Sequence, residues 1–235
     1  MSRARRNSPL DAAVTRLRAE VLSRDEGALL GGEDGLQALL GVSRPTMRQA
    51  ARVLEREGLL LVKRGNNGGY FGARPDPAFI KATVSTYLEV LNATPEDMTA
   101  IASTLWIEVV RKAAALGGKA GQGLAARHRR KVEKLSAATG FSDLLALERD
   151  IRQDIFALIR SPYVELIFNI NEDFARRHMI DPPSRLDDTP AHAAFVDAWR
   201  KAKLMELDAI AEGDQEVAVL AARRAREMLY NRVWM

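Results

Sequence analysis

The feature that most restricts what this chain can become is a glycine turn between two helical patterns, Leu39-Leu40-Gly41-Val42-Ser43-Arg44-Pro45-Thr46-Met47-Arg48-Gln49-Ala50. Glycine tolerates the left-handed backbone that a tight turn between helices demands. Val42 is placed to fill the angle between the helices and Ser43 to cap the second one. Pro45 falls in its first turn, where a missing N–H costs little. The second helix then carries two faces. Met47, Ala50, Ala51 and Leu54 recur at an inward-packing spacing, whereas Arg44, Arg48, Arg52 and Arg56 recur every four residues. That stripe drifts only about 40° per step at 3.6 residues per turn.

The neighbouring segments complete a small module. Residues 9–24 place Leu10, Val14, Leu17, Val21 and Leu22 at helical spacing behind Ser8-Pro9, and a second helix is expected from about Glu33 to Leu40. The third is expected from Ser43 to Glu57, stopped by Gly58. The apolar runs LLLVKRG and GGYFGAR then flank Gly65-Asn66-Asn67-Gly68-Gly69, which predicts a hairpin. Pro75-Asp76-Pro77 marks the expected domain boundary, because a residue before proline is disfavoured in a helix.

Beyond it the pattern is helical. Thr94-Pro95, Ser161-Pro162 and Thr189-Pro190 each supply a hydroxyl cap and a pre-set first turn, while Gly117-Gly118, Gly140 and Gly213 are expected to end helices. The reading is seven helices, at roughly 77–92, 95–116, 122–138, 142–160, 162–179, 189–212 and 214–233. The fold class is therefore mainly α, with a winged helix-turn-helix over residues 1–74 and an all-helical bundle over 75–235.

Charge divides the chain at the same place. Up to Arg74 there are 13 Lys and Arg against 8 Asp and Glu, and beyond it 22 against 23, so the net +4 arises wholly in the first third. A basic module joined to a near-neutral one is the distribution of a nucleic-acid-binding unit attached to a dimerising or sensing unit. The 235 residues contain no cysteine, which excludes disulfides, thiolate metal sites and cysteine nucleophiles. No apolar run reaches membrane-spanning length, and the basic N-terminus lacks a following apolar segment, so a cytoplasmic protein is expected. An enzyme is not expected: the three histidines stand apart, and the Gly65–Gly69 run sits between two short strands and opens no helix.

Residues 30–75, LGGEDGLQALLGVSRPTMRQAARVLEREGLLLVKRGNNGGYFGARP, resemble the GntR family of bacterial regulators, position by position without a gap. The subfamily resembled is the FadR-like one, whose helical C-terminal domain is called FCD. The looser match there lies in Leu147–Pro162 and Leu207–Asp214. The resemblance implies that Arg44 and Arg48 read bases and phosphates of double-stranded operator DNA, with Gln49 beside them. It further implies that Ser43 and Thr46 hold the DNA backbone and that Arg64, Gly65 and Asn66 at the wing tip approach the minor groove. These roles suit the residue types, since arginine forks onto guanine or phosphate. Asp34 stands where the family usually has an arginine, which removes one expected contact.

Many FCD domains hold a divalent metal with one acidic residue and three histidines. On the same landmarks Glu148 falls at the acidic position, but Arg152, Lys203 and Ala225 fall at the histidine positions. The resemblance thus implies no metal and no cofactor here. Glu148, Arg152 and Lys203 are expected to line a site for a small organic acid, with Arg152 as a fork and Lys203 as a point charge, or else Arg152 and Lys203 pair with Glu148 or Glu206. A homodimer is expected, since one short recognition helix reads too few bases alone. His128, His178 and His192 read as surface or interhelical residues, and Trp106, Trp199 and Trp234 as core or dimer interface.

Overall fold

The computed structural model describes residues 8–65, 68–178, 187 and 189–234. It divides into two compact units, Met1–Thr83 and Val84–Met235. In the first, α1 (Pro9–Leu22) precedes a short strand β1 (Leu29–Gly31), α2 (Glu33–Leu40), α3 (Arg44–Arg56), β2 (Leu60–Lys63) and β3 (Gly69–Gly72). α4 (Pro77–Val90) crosses the division, and α5 (Pro95–Leu116), α6 (Gly118–Glu133), α7 (Phe141–Ile159), α8 (Pro162–His178), α9 (Pro190–Glu212) and α10 (Gln215–Trp234) follow. Among the described residues no helix is long and apolar enough to cross a membrane.

α1 opens with a capping box in which Ser8 and Asp11 each satisfy the other's backbone N–H. Gly41 ends α2 in the left-handed conformation, φ +66°. The last carbonyls of that helix are taken up by Arg16, whose Nη1 and Nη2 donate to Leu40 and Leu39 at 3.0 and 2.9 Å. The turn is thereby fixed from two sides. Leu17, Val21, Leu36, Leu40, Met47, Ala50 and Leu54 close the core beneath it, and Val42 packs at its edge.

The sheet is antiparallel, in the order β1-β3-β2, with Leu29 opposite Phe71 and Val62 opposite Tyr70. The hairpin lies where the sequence places it, and β1 is an addition. Gly68 closes the wing with N–H to the Gly65 carbonyl at 2.8 Å. A Cβ there would lie 2.5 Å from the Lys63 carbonyl, so only glycine fits. Asn66, expected at the wing tip, lies outside the described residues.

The first unit continues past the expected boundary. Pro75 lies against Gly58, 3.2 Å from where a Cβ would stand, and Arg74 donates to the Arg24 carbonyl at 2.6 Å. The division then falls within α4 rather than at Pro75-Asp76-Pro77.

In the second unit Thr94 and Thr189 cap α5 and α9, and Gly117 and Gly213 end α5 and α9. Two expectations need correcting. α6 begins at Gly118 and ends at Glu133, not at 122 and 138, because Ser136 and Thr139 bond to each other in a separate turn. Gly140 ends no helix: it is the N-terminal flank of α7. The core surrounds Trp106 and Trp199, both fully buried, and the Trp106 ring meets Phe156 and Phe168 edge-on at 6.1 and 5.7 Å. Of Trp234 the described residues give the backbone alone.

Candidate functional site

α3 is set on the surface by its own two faces. Met47, Ala50, Ala51 and Leu54 are buried, so the opposite side is held outward. Ser43 caps the helix, its Oγ 3.4 Å from the Thr46 N–H and 2.9 Å from Thr46 Oγ1. Arg44, Arg48 and Gln49 are exposed along the N-terminal half.

The two leading arginines are not bare. Arg48 Nε and Nη2 donate to Glu33 Oε1 and Oε2 at 2.6 and 3.0 Å, a planar fork. Arg44 Nη2 donates to Asp34 at 2.7 Å, and its Nε lies 3.6 Å from Glu33. The hydrogen bond from Arg48, with the nearby charges of Arg48 and Arg44, holds the Glu33 carboxyl below the usual carboxylate range. The first turn of α2 thus presents carboxylates to the first turns of α3. Sequence reasoning treats Asp34 as a lost contact and misses this pairing, because Glu33 and Arg48 meet only through the helix-turn-helix angle.

Arg48 also borders a depression of 610 Å³ between α3, the start of α2 and the wing. Arg52, Lys63, Arg64, Gly65, Gly68 and Tyr70 line it as well. Arg64 and Gly65 are exposed, and Gly65 is at φ +105°. Arg52, Lys63 and Tyr70 are thus brought beside residues the sequence singles out. The depression offers guanidinium and ammonium donors, the chemistry that grips a phosphate backbone, alongside the carboxylates of Glu33 and Glu55.

The second unit holds a buried cluster of charge. Lys203 Nζ lies 2.9 Å from Glu148 Oε2 and 2.8 Å from Glu206 Oε1. Arg226 Nη2 stands 3.3 Å from Glu148 Oε1, an ion pair by distance but without hydrogen-bond alignment. Lys203 also lies 5.4 Å from the Trp199 ring centre, and the Arg226 guanidinium 4.8 Å from that of Trp106. Arg152, expected beside Lys203, gives its Nη2 to Glu172 instead, and its buried Nε has no hydrogen-bond partner among the described residues. Ala225 is buried and contributes no polar group; its neighbour Arg226 does, one step along the helix. Nothing in the sequence announced Arg226.

Burial pushes the Glu148 carboxyl up, but Lys203 and then Arg226 outweigh it and hold Glu148 below the usual range. Burial also dominates at Glu206, where the opposing pull of Lys203 does not prevail and the carboxyl ends above that range. Lys203 is pulled down by burial and restored by Glu148 and Glu206 to a net rise. The arrangement does not fit a divalent metal: an ammonium occupies the space beside the one low-lying carboxylate, and cations repel a metal as well as failing to ligate it.

The histidines lie elsewhere. His128 Nε2 meets Asp154 at 2.6 Å, His192 Nε2 meets the Thr139 carbonyl at 2.8 Å, and His178 stacks on Phe174.

No protein-family model matches the chain, and no curated protein matches it by sequence. Among solved structures, Streptococcus agalactiae GntR is similar with a TM-score of 0.64 at 17% identity, over 94% of this chain and 99% of that one. A GntR family regulator from Pseudomonas syringae gives 0.40 at 18% identity, covering 96% and 84%. Lar of Listeria monocytogenes gives 0.44 at 15%, covering 100% and 98%. Only the first carries weight for the architecture. At that level of identity likeness establishes fold, and the chain shares the mainly α fold of that Streptococcus agalactiae protein.

Proposed function

We propose that the chain is a sequence-specific, DNA-binding transcription regulator rather than an enzyme, one that grips a palindromic operator as a homodimer. In this reading Ser43, Arg44, Thr46, Arg48 and Gln49 on α3, and Arg64, Gly65 and Asn66 at the wing, are the DNA-binding residues. The observation that carries it is the exposed arginine face of α3, with Arg48 and Arg52 lining one depression together with Lys63 and Arg64 of the wing. The two-fold reading of half-sites about one helical turn apart follows from docking geometry. Selection of bound duplexes from a random pool tests it: enrichment of an inverted repeat is the expected result, and no enrichment removes the reading.

In this reading the protein is a repressor, and its helical unit takes a small organic acid as effector. Buried donors support it. Trp106 Nε1, Trp199 Nε1, Arg152 Nε and Arg226 Nε lack partners among the described residues, around a cluster with three cations. Buried donors of this kind favour an acceptor. A thermal-shift screen of carboxylates on the parent and on Arg152→Ala tests it. A second reading is a constitutive DNA binder whose helical unit holds no ligand. It is favoured by Lys203, whose ammonium already lies within ion-pair reach of both Glu148 and Glu206, and the same screen decides between the two.

A further inference from the structure

We propose that Glu33 is a positioning residue for DNA readout: it grips one edge of the Arg48 guanidinium and so aims the other edge at a guanine. The inference rests on the DNA-binding reading of α3 and adds a residue to it.

A guanidinium offers two bidentate edges, the side edge Nε/Nη2 and the end edge Nη1/Nη2. Glu33 takes the side edge with both carboxylate oxygens, at 2.6 and 3.0 Å. Nη1 makes no hydrogen bond among the described residues, and the Arg48 side chain remains 56% exposed. The end edge is therefore presented to whatever faces α3. That edge matches O6 and N7 of guanine, the commonest specific contact in a major groove.

Glu33 is suited to the task because it is itself held. It stands in the first turn of α2, where the helix dipole favours a carboxylate, and its side chain is only 29% exposed. Asp34 differs in kind. Its side chain is 85% exposed and takes a single Nη2 of Arg44, which leaves it free to swing away when DNA arrives.

A carboxylate at a DNA-facing surface has two effects of opposite sign. It repels phosphate, which weakens binding to every sequence, and it fixes an arginine that would otherwise sample many rotamers, which sharpens the choice of base. The two are separable by experiment. Full-length parent, Glu33→Gln, Glu33→Asp and Arg48→Ala are titrated with the duplex that the parent selects from a random pool, with that duplex altered at each base pair in turn, and with an unrelated duplex. Melting temperature serves as the check on folding.

Glu33→Gln should bind the unrelated duplex more tightly than the parent does. Its preference at one G·C pair, the pair at which Arg48→Ala also loses preference, should fall about five- to tenfold, the lower end of what a bidentate base contact is worth. Glu33→Asp should keep part of that preference. Equal tightening on every duplex with base preferences unchanged would overturn the positioning role, and so would loss of preference at a pair that Arg48→Ala leaves alone. A parent that selects no sequence at all would overturn the regulator reading itself, an outcome distinct from either.

Discussion

The Lys203 ammonium lies 2.9 Å from the Glu148 carboxylate, with both side chains shut off from solvent. A buried charge stripped of its partner is costly, about 3–5 kcal/mol for one half of a buried pair. Glu148→Gln should therefore destabilise the helical unit by about that amount in urea unfolding. Glu206→Gln should cost clearly less, because burial already raises the Glu206 carboxyl toward its neutral form. Equal losses would mean that Glu206 is as much the counter-charge of Lys203 as Glu148 is.

The same two carboxylates give opposite pH signatures. Glu148 titrates below its ordinary value of 4.5 in the folded protein, so its contribution is complete above that value and is lost as pH falls through the lower folded value. Glu206 titrates above 4.5, so folding favours its protonated form and stability declines as pH rises from 4.5 to the folded value. Unfolding free energies measured across pH should show the acid-side loss flattened in Glu148→Gln and the decline above 4.5 flattened in Glu206→Gln. A Glu206→Gln profile parallel to the parent's would contradict the raised carboxyl.

Local chemistry was legible in the sequence and long-range pairing was not. Gly41, Ser43 and the inward set Met47, Ala50, Ala51 and Leu54 specify α3 through turn chemistry and a 3.6-residue period, and all are found as expected. β1 escaped because three residues carry no period, and its pairing with Phe71 is made far along the chain. Glu33 and Arg48 meet only once the turn is folded. Lys203 and Glu206 are three residues apart on one helix face and could be weighed as partners, whereas Arg226 comes from another helix and displaces Ala225 by a single step that landmarks could not resolve.

Helix α6 offers a paired test of close packing. A Cβ at Gly121 would come 2.5 Å from the Ile210 carbonyl oxygen, part of the α9 backbone, and nothing flexible stands between them. Gly121→Ala should push the helices apart and cost about 1–3 kcal/mol, the range for overpacking. Gly123 on the same helix has nothing within 4 Å of a Cβ and is exposed. Gly123→Ala should stabilise by about 0.5–1 kcal/mol through helix propensity. Chemical unfolding of the two variants should move the midpoint in opposite directions, and a neutral Gly121→Ala would show that α6 and α9 are not in this close contact.

Arginines of the recognition helix and of the wing should fail differently on DNA. Arg48→Ala removes a group with its end edge free and should cost about 1–3 kcal/mol of operator binding, concentrated at one base pair. Arg64 sits exposed at the wing beside Gly65, whose φ of +105° turns the chain sharply there. A long cation on such a turn reaches phosphate more readily than a base edge, and each neutralised phosphate releases condensed counterions. Arg64→Ala should then weaken operator and unrelated DNA alike and lower the slope of log affinity against log salt by about 1. Affinity measured at several salt concentrations checks it. An unchanged slope with lost preference at flanking A·T pairs would place Arg64 in the minor groove, where a narrow A·T-rich wall attracts an inserted arginine by its negative potential rather than by a single phosphate.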